Sequence, residues 1–458
     1  MGRTCQLLLS RIGSRGDAHL LALPQTRGLL RGEAMRTVSC FAGAATFAAL
    51  LAAWAIGCAP IRRAGRHAQL PPEAHPPYTV TGLESLLREP PADLRGSRLG
   101  LITNPTGVTS DLRQNVDALT EAGFALAALF GPEHGVRGDV EGGAKVDSYV
   151  DWRTGLPVFS LYGTHRKPTP EMLRGVDALV FDIQDIGIRP YTYISTMALA
   201  MEAAAELNIP FVVLDRPNPL GGELVEGPVL EEQFRSFIGI HPIPYVHGLT
   251  VGELARFFNE EFGIHCRLRV IPMQGWKRSY LWPDTQLPWV PTSPHIPHWL
   301  SALYCATTGA IGELGTVSEG VGTPSPFELI GAPWVDPYQL AAELNRRQLP
   351  GVRFRPVTVR PFYFRFAGQT VGAVQIHILE PKQFRPVEVQ IHILHALVKL
   401  YGPDRLFQTD RIDAFDKAWG TDRVRTMLVA GADPAAILSS WQEELAVFRQ
   451  KRQRYLLY

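Results

Sequence analysis

Through residues 98–215 the chain alternates short apolar runs with stretches of helical spacing, and most of the apolar runs stop in a polar or turn-forming cluster. Residues 98–103 are halted by Asn104-Pro105, 124–130 by Gly131-Pro132, 178–181 by Asp182 and 211–214 by Asp215, with a further short run at 156–161. Between them, residues 112–122 carry helical spacing, and Ile194, Met197, Ala198, Met201, Ala204, Ala205 and Leu207 recur at helical intervals before Pro210. Strand, helix, strand, helix in this order is the mark of parallel βαβ units with right-handed crossovers. The fold class expected for this half is therefore α/β, a doubly wound, Rossmann-like sheet. In such sheets ligands sit at the carboxyl ends of the strands.

After about residue 240 the rhythm changes. Residues 249–262 read as a helix with Thr250 and Glu253 at capping-box distance, and 267–272 as a strand. An irregular stretch rich in Pro, Trp and His spans 282–299. Helices at 338–347 and 387–401 and strands at 353–359 and 369–379 then describe a smaller α+β domain. The expected division is 78–305 for the Rossmann-like domain and 306–458 for a C-terminal domain completing its cleft. The 45 Lys and Arg nearly cancel the 44 Asp and Glu, so nothing suggests a nucleic-acid partner.

The N-terminus has another character. Residues 37–60 lack any charged side chain and follow Arg31 and Arg36, the pattern of an export signal. Ala55-Ile56-Gly57-Cys58 resembles a bacterial lipobox, with Ala55 where Leu is usual and Cys58 as the lipidated residue. An uncleaved anchor is the other reading, since the run is long enough to span a bilayer. Residues 1–58 are thus expected to be an extension plus lipoprotein signal peptide, and 59–77, rich in Pro, Ala, His and Arg, a tether. Ala59, rather than Asp, follows the lipobox cysteine, which points to a periplasmic protein held at the outer membrane by its lipid. Cys266 and Cys305 are too far apart for metal-ligand spacing, and both a disulfide and two buried thiols remain open.

Four clusters could carry chemistry. In the first, Glu133 and His134 stand among Gly131, Pro132, Gly135, Arg137 and Gly138. A carboxyl beside a titratable ring at a strand end is a candidate general acid or base, and a solvated turn is the alternative. In the second, Asp182, Gln184 and Asp185 precede Gly187, Arg189, Tyr191 and Tyr193. Paired carboxylates can hold a metal, act as a base or orient a partner, and tyrosines suit a sugar ring; equally, Asp182 could cap a helix or pair with Arg189. The third, Asp215, Arg216 and Asn218, repeats the strand-end logic, with a rim ion pair of little energetic value as the plain alternative. The fourth is a Gly-rich segment, 312–323, carrying Glu313 and Glu319. It lacks the Gly-Lys-Ser/Thr ending of a phosphate cradle, and no G-x-G-x-x-G follows the first strand. No H-E-x-x-H and no G-x-S-x-G occur either.

Taken together the clusters resemble the exo-β-N-acetylmuramidases of the NamZ type. The resemblance rests on Leu101-Ile102-Thr103-Asn104-Pro105-Thr106-Gly107, Gly131-Pro132-Glu133-His134-Gly135 and Phe181-Asp182-Ile183-Gln184-Asp185. It continues through Tyr191-Thr192-Tyr193-Ile194-Ser195-Thr196-Met197, Leu214-Asp215-Arg216-Pro217-Asn218-Pro219, Ser318-Glu319-Gly320 and Pro326-Phe327-Glu328 to the final Arg454-Tyr455-Leu456-Leu457-Tyr458. It implies an exo-acting glycoside hydrolase that releases N-acetylmuramic acid from the non-reducing end of peptidoglycan fragments, without metal or organic cofactor. Glu133 becomes the leading acid, with His134 in the same loop and Asp182 or Asp185 activating water or holding the substrate's acetamido group. Asn104, Arg137, Gln184, Arg189, Tyr191, Tyr193, Asp215, Arg216, Asn218, Glu313 and Glu319 are the implied substrate-binding set.

Two departures bear on the sugar. Val321 stands in Gly320-Val321-Gly322-Thr323 where the family pattern has Arg, and His295 stands in Pro294-His295-Ile296-Pro297 where relatives tend to have Asn. Arginine is the natural bidentate partner of a carboxylate such as the lactyl group of muramic acid. Arg137, Arg189 and Arg216 are the remaining candidates for that role. The rival class is a periplasmic sugar- or muropeptide-binding lipoprotein without catalysis, and a metal-dependent hydrolase is the third.

Overall fold

The computed structural model describes residues 78–138 and 148–458. The expected signal peptide, Cys58 and the tether lie outside the described residues. The described residues all fall in one compact unit.

The first half supplies β1 (Arg98–Thr103), β2 (Ala125–Gly131), β3 (Tyr149–Val150), β4 (Pro157–Ser160), β5 (Ala178–Asp182), β6 (Phe211–Leu214), a hairpin-like pair β7 (Glu226–Val229) and β8 (Pro244–Val246), and β9 (Leu268–Ile271). Seven of them form one sheet in the order β3-β4-β2-β1-β5-β6-β9, parallel throughout except for the edge strand β3. The chain starts in the middle at β1, winds outward through β2 to β4, then returns to β5 on the other side of β1. The point where the winding reverses therefore lies between β1 and β5, where sheets of this kind bind ligands beyond the strand ends.

Strict alternation along the strands sends side chains to two separate cores. Leu99, Leu101, Leu129, Val180, Val212 and Leu214 pack with Leu83, Leu86, Leu94, Val116 and Leu119 from α1 (Gly82–Arg88), α2 (Ala92–Arg95) and α3 (Asn115–Glu121). Ile102, Phe130, Leu179, Phe181, Phe211 and Val213 face α4 (Tyr193–Glu206) and α5 (Val251–Glu261). Each fully buried Leu, Ile or Phe on these faces stabilises the fold by about 1.5–3 kcal/mol. The capping box expected at Thr250 and Glu253 forms at the start of α5.

The expected boundary at 305/306 falls inside a helix, α6 (Leu300–Gly312). This segment is apolar or small on every side and almost wholly buried, so nothing in its composition marks it as a bridge between halves. Beyond it lie β10 (Leu329–Ala332), α7 (Pro337–Arg346), β11 (Val352–Val359), β12 (Val371–Ile378) and α8 (Pro386–Tyr401). The strands make a small antiparallel sheet ordered β10-β12-β11. Short helices α9 to α12 (Pro403–Phe407, Ile412–Trp419, Arg423–Val429, Pro434–Ser439) and α13 (Gln442–Arg452) close the chain. The core on the α4 and α5 side runs on without a break into α6, α8 and this C-terminal part.

Candidate functional site

At the end of β1 the chain turns sharply, and Asn104 Oδ1 accepts hydrogen bonds from Thr106 N (3.0 Å) and Thr106 Oγ1 (2.5 Å). Thr106 Oγ1 in turn accepts from Gln184 N at 2.9 Å, which ties the β1 turn to the β5 turn across the switch point. On the β5 side Gln184 Nε2 donates to the carbonyls of Asp185 and Pro217, both at 2.7 Å. Asp185 Oδ2 accepts from Gly187 N at 2.7 Å. Gly187 has φ +86°, and a Cβ there would lie 2.3 Å from Asn218 Oδ1, so only glycine lets the turn close onto the carboxylate.

These bonds leave Asn104 Nδ2, Gln184 Oε1 and Asp185 Oδ1 buried without a hydrogen-bond partner. Buried polar atoms are almost always paired, because an unpaired one forfeits about 1–3 kcal/mol of solvation. Three such atoms on two adjacent turns at the switch point make this the candidate place for a polar ligand. Burial pushes the Asp185 carboxyl up to about 7, against the pull of the Gly187 and Ile186 N–H groups.

Glu133 enters from β2. The turn Pro132-Glu133-His134-Gly135 closes through Gly135 N to Pro132 O at 2.9 Å, and His134 is held at φ +71°, a conformation unusual for a side-chain-bearing residue. The Glu133 carboxylate accepts from Thr192 Oγ1 at 2.8 Å, and the Tyr162 hydroxyl also bonds to it. Burial first, then the Glu133 charge and that bond, push Tyr162 up to about 12. Tyr193 feels both carboxyls. Burial raises its pKa, Tyr191 and Asn104 oppose the rise, and Glu133 and Asp185 both add to it. The Asn104 amide thus bears on the Tyr193 phenol without a hydrogen bond of regular geometry. The Tyr193 hydroxyl donates to Thr292 O at 2.5 Å and Tyr191 to Thr292 Oγ1 at 2.8 Å, their rings edge to face at 4.8 Å.

Other residues of the expected set are committed elsewhere. Asp182 is fully buried, with Oδ1 bound by Arg216 Nε at 2.6 Å and Oδ2 by Asn115 Nδ2 at 2.8 Å. It anchors the floor, so of the two acids in that motif only Asp185 keeps an oxygen unpaired. Arg216 spends itself on Asp182 and Val108 O, beside a cavity of only about 20 Å³ lined by Thr81, Thr106, Gln184 and Trp282. Arg137 forms a forked pair with buried Asp151 and also bonds Gln114. Arg189 is 1% exposed and donates to the carbonyls of Pro228, Ile243 and Ala418, burial lowering its pKa to about 10. Arg137 is thus engaged by Asp151 and Gln114, and Arg189 by three backbone carbonyls. Asp215 accepts from Arg216 N, Gly252 N, Thr250 Oγ1 and Tyr458 Oη, and Asn218 from Leu220 N while donating to Leu249 O. Glu313 pairs with Arg411, and Glu319 with Arg365 at 2.6 Å.

Tyr162 and Thr192 were missed in the sequence. Tyr162 follows the short β4, so the same strand-end logic that singled out Glu133 would have found it. Cys266 and Cys305 are separate buried thiols, each pushed up to about 12 by burial. Among the described residues no cluster of three His, Cys, Asp or Glu side chains is placed to hold a metal ion.

Known proteins resemble this chain over most of its length. Two family models match the chain, one described as Exo-beta-N-acetylmuramidase NamZ, N-terminal, over residues 99–300, and one as its C-terminal counterpart over 303–458. The chain is 46% identical over 386 residues to the peptidoglycan beta-N-acetylmuramidase NamZ of Bacillus subtilis (strain 168), covering 84% of this chain and 92% of that protein. A DUF1343 family protein from Bacteroides fragilis NCTC 9343, solved as a crystal structure, superposes with a TM-score of 0.79 at 45% identity, over 84% of this chain and all (100%) of that one. A second crystal structure of that family from the same organism gives 0.66 at 29% identity, over 83% and 99%.

Proposed function

The chain belongs to the NamZ family of exo-β-N-acetylmuramidases, and from that premise we propose that the site at the switch point between β1 and β5 cleaves N-acetylmuramic acid from the non-reducing end of peptidoglycan fragments, with Glu133 as the proton donor. The observation that carries the assignment is the set of unpaired buried atoms on Asn104, Gln184 and Asp185 beside a carboxylate held by Thr192 and Tyr162.

Glycoside cleavage requires a proton on the leaving oxygen and stabilisation of an oxocarbenium-like transition state. Glu133 is steadied by two hydroxyl donors, so its orientation is set before substrate arrives. Asp185, with its pKa raised to about 7, exchanges protons readily at neutral pH and presents one bare oxygen to a water molecule or to the substrate's acetamido N–H. Gln184 Oε1 accepts from, and Asn104 Nδ2 donates to, sugar hydroxyls. Tyr191 and Tyr193 wall the ring. Val321 is buried between Gly320 and Gly322, and Arg365 engages the neighbouring Glu319.

The test is incubation of the protein with the N-acetylmuramic acid–N-acetylglucosamine disaccharide and mass spectrometry of the products. Free N-acetylmuramic acid, abolished in Glu133→Gln, is the expected result. Calorimetric binding without release would point instead to a solute-binding role. We infer further that Cys58 carries lipid and holds the enzyme in the periplasm at the outer membrane. Metabolic labelling with a fatty-acid analogue, lost in Cys58→Ala, is the expected outcome.

A further inference from the structure

The segment between β11 and β12 carries three consecutive aromatic residues that the core does not claim. Phe362, Tyr363 and Phe364 are 80%, 54% and 58% exposed. Large exposed apolar side chains in a contiguous group mark a binding surface more often than scattered ones do. This group is also firmly built. Phe362 N donates to Gly322 O at 2.7 Å, and Gly322 passes so near the Tyr363 carbonyl that a Cβ would lie 2.0 Å from it. Arg365 bonds Val317 O and the buried Glu319 carboxylate, with its guanidinium 5.2 Å from the Phe364 ring centre. Phe364 and Phe366 are held at φ +64° and +57°, strain that persists only where the surroundings impose it.

The segment reaches toward the site. The Tyr363 hydroxyl lies 2.9 Å from His295 Nε2, the two rings stacked at 27°. His295 is lowered by burial and then by the charge of His134, the residue that follows Glu133. Three residues before His295, Thr292 takes the Tyr191 and Tyr193 hydroxyls, so the segment that holds Tyr363 also holds the two tyrosines of the site. The unpaired polar atoms at the ends of β1 and β5 are buried and the rings are exposed, so the former make the deeper side. A saccharide entering by its non-reducing end fills that deeper side first, and its remaining sugars extend outward.

We propose that Phe362, Tyr363 and Phe364 form a stacking platform for the sugars on the leaving side of the scissile bond, with Tyr363 oriented by His295. The inference rests on the glycosidase reading given above. Aromatic rings offer flat apolar faces that match the C–H face of a pyranose, while the Tyr363 hydroxyl keeps a polar handle.

The test compares kcat/KM on two donors: the muramic acid–glucosamine disaccharide, which occupies a leaving-side subsite, and β-N-acetylmuramyl fluoride, which does not. For Phe362→Ala and for Phe362→Ala/Phe364→Ala the disaccharide-to-fluoride ratio falls tenfold or more, mainly through KM, and Phe362→Trp restores it. A ratio unchanged in both variants overturns the platform. If Phe362→Ala then also elutes as a smaller species, the rings belong to an interface between copies of the chain. Wild-type protein that cleaves neither donor overturns the glycosidase reading itself, an outcome distinct from an unchanged ratio. Phe362 is the most exposed of the three, so its truncation does not threaten folding.

Discussion

The ends of β5 and β6 look alike in sequence and differ in what the fold does with them. Both place an Asp at the close of a buried apolar strand, followed by further polar residues and a tight turn. At β6, Asp215 accepts four hydrogen bonds, and the last residue of the chain, Tyr458, supplies one of them at 2.8 Å. Asn218 is satisfied at both ends of its amide. At β5, both Asp182 oxygens are paired, but Asp185 and Gln184 each keep a buried oxygen unpaired. The difference separates a joint from a site. At β6 every partner of the Asp comes from the protein, whereas at β5 buried oxygens are left over where the strand ends.

The largest effect that tests this contrast is at Glu133. Glu133→Gln lowers kcat on the disaccharide on the order of a thousandfold with an unchanged melting temperature, as a general acid should. A melting-temperature drop that accounts for the loss would put Glu133 among the joints. Asp182→Asn acts in the opposite sense. It leaves the Arg216 guanidinium buried without its counter-charge and destabilises the fold by about 3–5 kcal/mol, read from the shift of the denaturation midpoint. A stable Asp182→Asn protein would show that the pair is not the anchor described above.

Asp185 sharpens the comparison through pH. Its folded pKa, about 7, lies above the ordinary carboxyl value of 3.8. The folded state therefore holds its proton more tightly, and the resulting stability is present below about pH 4 and lost as pH rises through 7. Asp185→Asn removes that dependence, so the variant melts higher than wild type at pH 8 and at nearly the same temperature at pH 4. Its pH–rate profile also loses a limb near 7, which is checked by kcat/KM across pH 5–9. A variant less stable than wild type at pH 8 would make Asp185 a joint like Asp215.

The smallest effect is expected at Tyr458. Tyr458→Phe removes one of four donors to Asp215 and destabilises by about 1 kcal/mol in chemical denaturation, with activity within a few-fold of wild type. A large activity loss there would extend the site to β6.

Much of the fold was legible along the chain. Residues 178–182 and the capping box at Thr250 match the structure as read, and β1, β2, β11, β12 and α8 lie within a residue or two of the expected spans. Local periodicity carries that information because an apolar face of fixed period has only one way to be buried. Segments without a distinctive period were not legible: α6, apolar on all sides, and the short helices between residues 403 and 439.

By itself, then, the sequence determined the alternation that makes a parallel sheet and the polar residues that must stand at its strand ends. It also placed Glu133 on a turn between Gly131-Pro132 and Gly135. The tertiary structure alone decided which of those residues are spent. Arg137 reaches Asp151 across 14 positions, Arg189 reaches Ala418 across 229, and Asp215 meets Tyr458 across 243. A hydrogen bond is satisfied by whatever donor the fold brings within about 3 Å, and separation along the chain says nothing about that. The unpaired atoms at Asn104, Gln184 and Asp185, together at the switch point, became visible only in the folded arrangement.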